Sequence, residues 1–162
     1  MPVKPLIESE ALKVKPSKKY IAKNTKSAKI LEELSNDSDW RVRCSVARNK
    51  NSSVEILEKL SKDLDTNVRC NVAINKDCSV EILARLSNDT SCYVLCEVAM
   101  NSNCSIEIIE RLSNNSNEYV RSDVVWNPNC PVEILEKLSK DSSLSVRHQA
   151  HARLDLIRSA QS

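Results

Sequence analysis

Glycine and phenylalanine are both absent from this chain of 162 residues, and only 3% of its residues are aromatic. An ordinary sheet or barrel depends on glycine at its turns, so these absences argue against one. Long apolar runs are also missing, since none comes near the roughly 20 residues that a helix needs to cross a bilayer. The composition therefore favours a helical fold and predicts no membrane-spanning role.

Charge of neither sign dominates, because 24 lysines and arginines stand against 22 acidic residues, for a net charge of +2. With 41% hydrophobic residues the chain can bury a core. It has seven cysteines, an odd number, and residues 1–5 (MPVKP) lack the apolar core of an export signal. We therefore expect reduced thiols and a cytoplasmic location.

A tripeptide of a charged residue, leucine and serine recurs five times at a constant spacing of 26 residues. Internal repeats of this length are typical of stacked helical arrays. The spacing predicts five repeats, at 24–49, 50–75, 76–101, 102–127 and 128–153. We expect a basic N-terminal cap or tail at 1–23, whose apolar residues Leu6, Ile7, Leu12 and Val14 cover the first repeat. A C-terminal cap is expected at 154–162, with Leu154, Leu156 and Ile157 closing the last repeat.

Each repeat carries two apolar patterns with helical spacing. In the second repeat the first pattern consists of Val54, Ile56, Leu57 and Leu60. It begins within residues 52–55 (SSVE), which predict a capping box, and in the fifth repeat Pro131 is expected at the first helical position. The sequence thus predicts a first helix with a well-defined start.

The second pattern, Val-Arg-x-x-Val-Ala-x-Asn, occupies residues 42–49 and 68–75 and recurs with substitutions at 94–101 and 120–127. Its valines lie four apart on one helical face, and its alanine permits close packing. The closing asparagine is expected in the left-handed conformation, in the place of the missing glycine. Because one helix pair cannot cover both apolar faces, we expect an all-α solenoid of helix–turn–helix repeats.

Residues 127–138 (NPNCPVEILEKL), followed by Val146 and Arg147, resemble the leucine-rich repeat variant family of bacteria and archaea, which is similar in shape to HEAT and armadillo arrays. The resemblance covers the five repeats. It implies a right-handed superhelix of alternating α-helices and shorter, sometimes 3₁₀, helices, and an interaction role. Some members hold an iron–sulfur cluster with cysteines ahead of the repeats. No cysteine precedes Cys44 here, so that site is not carried over and no cofactor is expected.

One arginine position recurs in four repeats and is replaced by Leu95 in the third. The four arginines are Arg43, Arg69, Arg121 and Arg147. They form either an anion-binding track or ion pairs with the turn acid six residues earlier (Asp37, Asp63 or Asp141), and we favour the ion pairs. Asp89 is then expected to pair with Arg121. The recurring asparagines and serines are expected to satisfy backbone groups.

The cysteines fall into two rows and one outlier. Cys78, Cys104 and Cys130 precede the first helices, where a small residue is needed, and Cys44, Cys70 and Cys96 lie in the second helices. Cys92 and Cys96 share a helical face and offer two ligands to a soft metal. The next thiol of the row is expected ~9 Å away, too far for a tetrahedral site with ligands ~4 Å apart. We therefore expect no metal site.

The outward positions of the second helices change character along the chain. At about 100° per residue, Val42 and Val46 face inward and Cys44 faces outward with its neighbours on that side. From the second repeat onward those outward positions are apolar or aromatic. The expected partner-binding residues are Arg41, Arg48, Ile74, Tyr93, Met100, Tyr119 and Trp126. Two alternatives stay open: a C-terminal tail or a dimer partner covers this surface, or the second helix is rotated.

The sequence contains no glycine-rich phosphate loop, no nucleophile with a placed base and no paired catalytic carboxylates. We therefore predict a non-catalytic module that binds a protein or peptide. The alternative is a nucleic-acid-binding protein that uses the repeat arginines and the six lysines of residues 1–23. A third interpretation, that the repeats are part of a larger scaffold, also stays open.

Overall fold

The computed structural model describes residues 16–160, whose regular structure is entirely α-helical. The helices are α1 (Lys18–Asn24), α2 (Ala28–Leu34), α3 (Trp40–Ala47), α4 (Val54–Leu60), α5 (Thr66–Ile74), α6 (Val80–Leu86), α7 (Cys92–Met100), α8 (Ile106–Leu112), α9 (Glu118–Trp126), α10 (Val132–Leu138) and α11 (Leu144–Ser159). The apolar residues expected to cover the first repeat, Leu6, Ile7, Leu12 and Val14, lie outside the described residues.

Helices α2, α4, α6, α8 and α10 are the first helices of five pairs, and serine begins most of them. At α4 the Oγ of Ser53 accepts a hydrogen bond from the backbone N–H of Ile56. Ser52 is instead buried and donates its hydroxyl to the carbonyl of Val46 (2.6 Å). The same cap is made by Ser27, Ser79 and Ser105. Pro131 is the N-cap of α10, one residue before the helical position predicted for it.

Helices α3, α5, α7, α9 and α11 are the second helices, and they pack side by side along the molecule. Helix α1 packs against α3 in the way that α3 packs against α5, so six helices form one row in the order α1, α3, α5, α7, α9, α11. Each first helix contacts the second helices immediately before and after it. The described part of the chain is therefore a linear array in which neighbours in sequence are neighbours in space.

The core lies between the two sets of helices. In α4 it takes Ile56, Leu57 and Leu60, and the same positions are buried in α6 and α8. The second helices contribute two valines and the small residue after the second valine, as in Val68, Val72 and Ala73 of α5. The corresponding buried residues of α6, α7, α8 and α9 are Ile82, Leu83, Leu86, Val94, Val98, Ala99, Ile108, Ile109, Leu112, Val120, Val124 and Val125. Stacked pairs thus bury what one pair alone would leave exposed.

Asparagine side chains connect the ends of consecutive second helices. The Nδ2 of Asn101 donates to the carbonyls of Ala73 (2.6 Å) and Asn75 (3.1 Å), and its Oδ1 accepts from the backbone N–H of Asn103 (2.8 Å). Asn49, Asn75 and Asn127 make corresponding bonds. The predicted left-handed conformation is wrong, because no residue of 16–160 has a positive φ. The chain turns through the side-chain bond to the second following N–H instead.

The recurring serines lie at the ends of the first helices and are also structural. Ser61 donates its hydroxyl to the carbonyl of Glu58 (2.7 Å) and accepts a hydrogen bond from Arg85 of the following first helix (3.1 Å). Ser35, Ser87 and Ser113 have the same two kinds of partner. The expectation that these serines satisfy backbone groups is confirmed.

These features confirm the predicted all-α array of stacked helix pairs, and the right-handed twist implied by the resemblance stays a prediction. At the C-terminal end, α11 buries Leu154 and half-buries Ile157. Leu156, which was predicted to help close the last repeat, is exposed. None of the helices within residues 16–160 is both long enough and apolar enough to cross a membrane.

Replacing Asn101 with alanine should destabilise the array, because two buried carbonyls lose their donor. We expect a loss of about 2 kcal/mol in the free energy of unfolding, measured by urea denaturation. Asn88→Ala is the matched control, since the Asn88 amide also donates to a helix carbonyl but is exposed. The control should lose less than about 0.5 kcal/mol. Equal losses in the two variants would contradict the role assigned to Asn101.

Candidate functional site

The repeated arginines bridge consecutive helix pairs. Nε and Nη2 of Arg69 donate to the two carboxylate oxygens of Asp89 (2.6 and 3.1 Å), which lies twenty residues later. Nη1 of Arg69 donates to the backbone carbonyl of Asp63 (2.8 Å), six residues earlier. Two further pairs repeat this geometry, Arg43–Asp63 and Arg121–Asp141. The predicted ion pair with the acid six residues earlier is therefore wrong, since only the backbone at that position is contacted.

The gap in the arginine row is matched by a gap among its partners. Leu95 stands where the third arginine would be, and the residue twenty positions later is Asn115. Because both residues are uncharged, neither position leaves a buried charge without a partner of opposite sign. The predicted pair between Asp89 and Arg121 is absent, because Arg69 already holds Asp89.

The arginine row therefore does not offer a free track to an anion. The side chains of Arg43, Arg69 and Arg121 are each less than a fifth exposed and hold a carboxylate. Arg147 donates to the carbonyls of Asp141 and Ser142. The row has the structural role that we favoured from the sequence, although through other partners.

The cysteines are all free thiols, and most of them are shielded from solvent. Burial raises the pKa of Cys78 to about 12 and that of Cys104 to about 11. Burial likewise raises the pKa of Cys44, Cys70 and Cys130 to about 11 and that of Cys96 to about 12. Because the thiolate is the reactive and metal-binding form, these thiols are poor nucleophiles and ligands. Residues 16–160 contain no group of three or more His, Cys, Asp or Glu that could hold a metal ion.

The expected partner-binding residues lie at the surface of the second helices. Five exposed apolar side chains form what we call the aromatic strip: Ile74, Tyr93, Met100, Tyr119 and Trp126. Tyr93 and Met100 are seven residues apart in α7, and hence on one face of that helix; Tyr119 and Trp126 occupy the same positions in α9. Arg41 in α3 and Arg48, the residue that follows this helix, are exposed at the equivalent positions. The structure brings the seven residues onto consecutive helices, and their role in binding stays a prediction.

The middle of this surface is less open than the helical projection predicts. Cys44, expected to face outward, is only 8% exposed, and Cys70 and Cys96 are half-buried against the core. Neighbouring second helices pack side by side, so this position meets the next helix. Two half-buried carboxylates, Glu97 and Asp123, lie between the ends of the strip on α7 and α9. Burial, and then the charge of Asp123, raises the pKa of Glu97, while Arg48 opposes the shift.

Trp126 is held in place by the last helix. Its Nε1 donates to Oε1 of Gln149 in α11 (2.7 Å), and the same oxygen accepts from the hydroxyl of Ser122 (2.8 Å). Nε2 of Gln149 donates to Ser145 (3.2 Å). The indole is 40% exposed. It is therefore an anchored surface ring, whereas Tyr93 and Tyr119 are 74% and 69% exposed.

Two surface features were missed from the sequence. The first helices expose the apolar residue at their start, which the pattern placed with the core: Val54, Val80, Ile106 and Val132. The second feature is a cavity of about 760 Å³ beside α1 and the end of α3, whose cationic residues are Lys19, Lys23, Lys26, Arg48 and Lys50. We call it the basic pocket. Lys19, Lys23 and Lys26 are close in sequence, and the packing of α1 against α3 adds Arg48 and Lys50 to them.

Comparison with known proteins supplies structural neighbours but no sequence family. No family model and no curated protein matches the chain. Among solved structures it is similar to a leucine-rich repeat variant with a repetitive structural motif, at 22% identity and a TM-score of 0.42, over 84% of this chain and 64% of that one. It is also similar to an engineered protein, at 18% identity and a TM-score of 0.47, over 88% and 87% of the two chains. The chain thus spans 64% of the length of the leucine-rich repeat variant that it matches.

Removing one partner of a buried ion pair should cost more than removing both. Arg69→Leu leaves the Asp89 carboxylate buried without its cation, so we expect a loss of about 3–5 kcal/mol in the free energy of unfolding. Adding Asp89→Asn reproduces the natural combination of Leu95 and Asn115 and should restore most of that loss. Urea denaturation of the single and double variants measures both values. Additive losses would show that the two positions are independent.

The stability of the fold should decrease in acid, because the aspartates that pair with the arginine row are charged in the folded state. The hydrogen bonds from Arg121 lower the pKa of Asp141. Burial acts to raise the pKa of Asp89, but Arg69 and the backbone N–H of Ser91 leave it below the usual value. A lowered folded-state pKa contributes stability above the unfolded-state pKa of about 3.9, and that stability is lost as pH falls through the folded-state pKa.

We therefore expect the free energy of unfolding to decrease as the pH is lowered from neutrality to about 3. The double variant Arg69→Leu/Asp89→Asn removes one titrating carboxylate of this kind. Its decrease should be smaller than that of the natural chain, in urea denaturation at a series of pH values. An identical pH dependence in both chains would rule out the contribution assigned to Asp89.

Proposed function

We propose that this protein is a non-catalytic module that binds a segment of a partner protein across the aromatic strip. The observation that supports this most is the exposure of five large apolar side chains on three consecutive second helices. Single exposed apolar residues are common on protein surfaces, whereas several of them on neighbouring helices are a feature of interaction sites. Tyrosine, tryptophan and methionine are also the residues enriched in protein interfaces.

The array supports this role by holding the strip rigidly. Neighbouring helices pack ~8–10 Å apart, so α5, α7 and α9 present a surface about 20 Å across the row. Residues seven apart in one helix add about 10 Å in the other direction. Tyrosine contributes a large contact area at little cost in conformational entropy, which suits a preformed surface.

The other exposed apolar row is a weaker candidate. Val54, Val80, Ile106 and Val132 lie at the starts of the first helices and carry no aromatic ring. Aromatic residues, not valine, dominate the binding energy of most interfaces. This row therefore serves as a control surface.

We also propose that the interaction takes place in the cytoplasm. The seven cysteines are free thiols, and free thiols are typical of proteins in a reducing compartment.

The proposal is tested by selecting random displayed peptides on the full chain and measuring the affinity of the enriched ones by fluorescence anisotropy. Tyr93→Ala with Tyr119→Ala should weaken binding at least about tenfold, or ~1.4 kcal/mol. These side chains are mostly exposed, so the urea midpoint should not change. The matched control, Ile106→Ala with Val132→Ala, should keep the natural affinity. Peptides that bind the tyrosine variant as tightly as the natural chain would refute the proposal.

A further inference from the structure

The basic pocket brings together five cationic side chains, none of which forms a direct ion pair with a carboxylate of residues 16–160. Lys19 and Lys23 lie on α1, Lys26 follows it, and Arg48 and Lys50 follow α3. Among residues 16–160, no acidic residue lines this cavity of about 760 Å³. The adjacent Lys18, by contrast, is paired with Asp37 at 2.7 Å.

Helix ends explain only part of this cluster. Helices α1 and α3 both end at the pocket, and a cation near a helix C-terminus is stabilised by the helix dipole. Lys23 is the cation at the C-terminus of α1, and Arg48 is the cation at the C-terminus of α3. Lys19, Lys26 and Lys50 lack such an explanation, and bringing five like charges together opposes folding. An anionic ligand at this place would remove the repulsion.

The pocket shares two residues with a cavity that also reaches the aromatic strip. Arg48 and Lys50 line this smaller cavity of about 210 Å³ together with Ile74, Asn75, Lys76 and Asp77. Ile74 is the first apolar member of the strip, followed at the same position by Met100 and Trp126. One extended ligand can therefore contact both the basic pocket and the strip.

Charge changes sign along this surface. The pocket at α1 and α3 is positive, while Glu97 on α7 and Asp123 on α9 lie among the aromatic residues. A nucleic acid strand running along the row would bring its phosphates towards these carboxylates, and a phosphate backbone needs cations along its whole path. A protein segment carries its negative charge at chosen positions and fits both ends.

We propose that the basic pocket binds a cluster of aspartate and glutamate residues at one end of the partner segment whose apolar side chains cover the aromatic strip. This inference rests on the proposed function and names the chemistry and direction of its partner. The acidic end lies at α1 and α3, and the apolar part extends towards α9. Complementary charge of this kind speeds association and fixes the register of the bound segment.

The test uses the peptides enriched on the full chain, sequenced without prior assumption about their charge. They should carry an acidic block on one side of an apolar or aromatic stretch. Lys23→Ser with Lys26→Ser should weaken their binding by about tenfold at low salt, and by less at higher salt because exposed charges are screened. Lys140→Ser with Arg158→Ser changes the net charge equally at distant exposed sites and should leave the affinity unchanged. Peptides whose aspartate and glutamate residues are changed to asparagine and glutamine should bind the two charge variants and the natural chain with equal affinity.

The outcomes separate this inference from the proposed function. Enriched peptides without an acidic block, or equal weakening in the two charge variants, overturn the inference while the effect of Tyr93→Ala/Tyr119→Ala still supports the proposed function. Peptides that ignore the two tyrosines overturn the proposed function itself. A single-stranded oligonucleotide that binds the full chain, requires Lys23 and Lys26 and displaces no peptide would assign the pocket to nucleic acid and overturn the inference.

Discussion

The side-chain amide of each buried asparagine at the end of a second helix reaches back to the carbonyls that end the preceding second helix. Asn75 bonds to Ala47 and Asn101 bonds to Ala73, so the reach is 28 residues each time. An inserted residue would move the donor away from its acceptors and leave buried carbonyls without a partner. This requirement accounts for a repeat length that stays constant through the chain, and the constant length in turn aligns equivalent residues into rows.

Once the rows are aligned, the different sides of the array have different structural roles. The inward rows are aliphatic and nearly uniform, and the serine and arginine rows connect consecutive pairs. The outer positions of the second helices belong to neither kind of row, and there the residues vary from Arg48 through Ile74 to Trp126. Under the proposed function, this variation would let every helix offer a different contact to one partner at the same position.

The sequence contains enough to predict the helix pairs, their apolar faces and the exposure of Tyr93 and Tyr119, because each depends on local periodicity. It did not predict the partner of each arginine, since the choice between residues six before and twenty after depends on the direction in which neighbouring pairs stack. The joint loss of charge at Leu95 and Asn115 was the available signal. The basic pocket was missed because Lys19 belongs to a segment expected to be a cap, whereas α1 joins the row of second helices.

The uncharged match of Leu95 with Asn115 limits how this array can grow by duplication of its own gene segments. A second copy of residues 76–101 placed after the first would set Leu95 of one copy opposite Asp89 of the next, and bury a carboxylate that has no arginine. A duplicate of residues 50–75 placed after itself would instead pair Arg69 with Asp63 of the following copy. Repeats of equal length are therefore compatible only with certain neighbours. The order of the repeats is constrained by the pairing of charges between them.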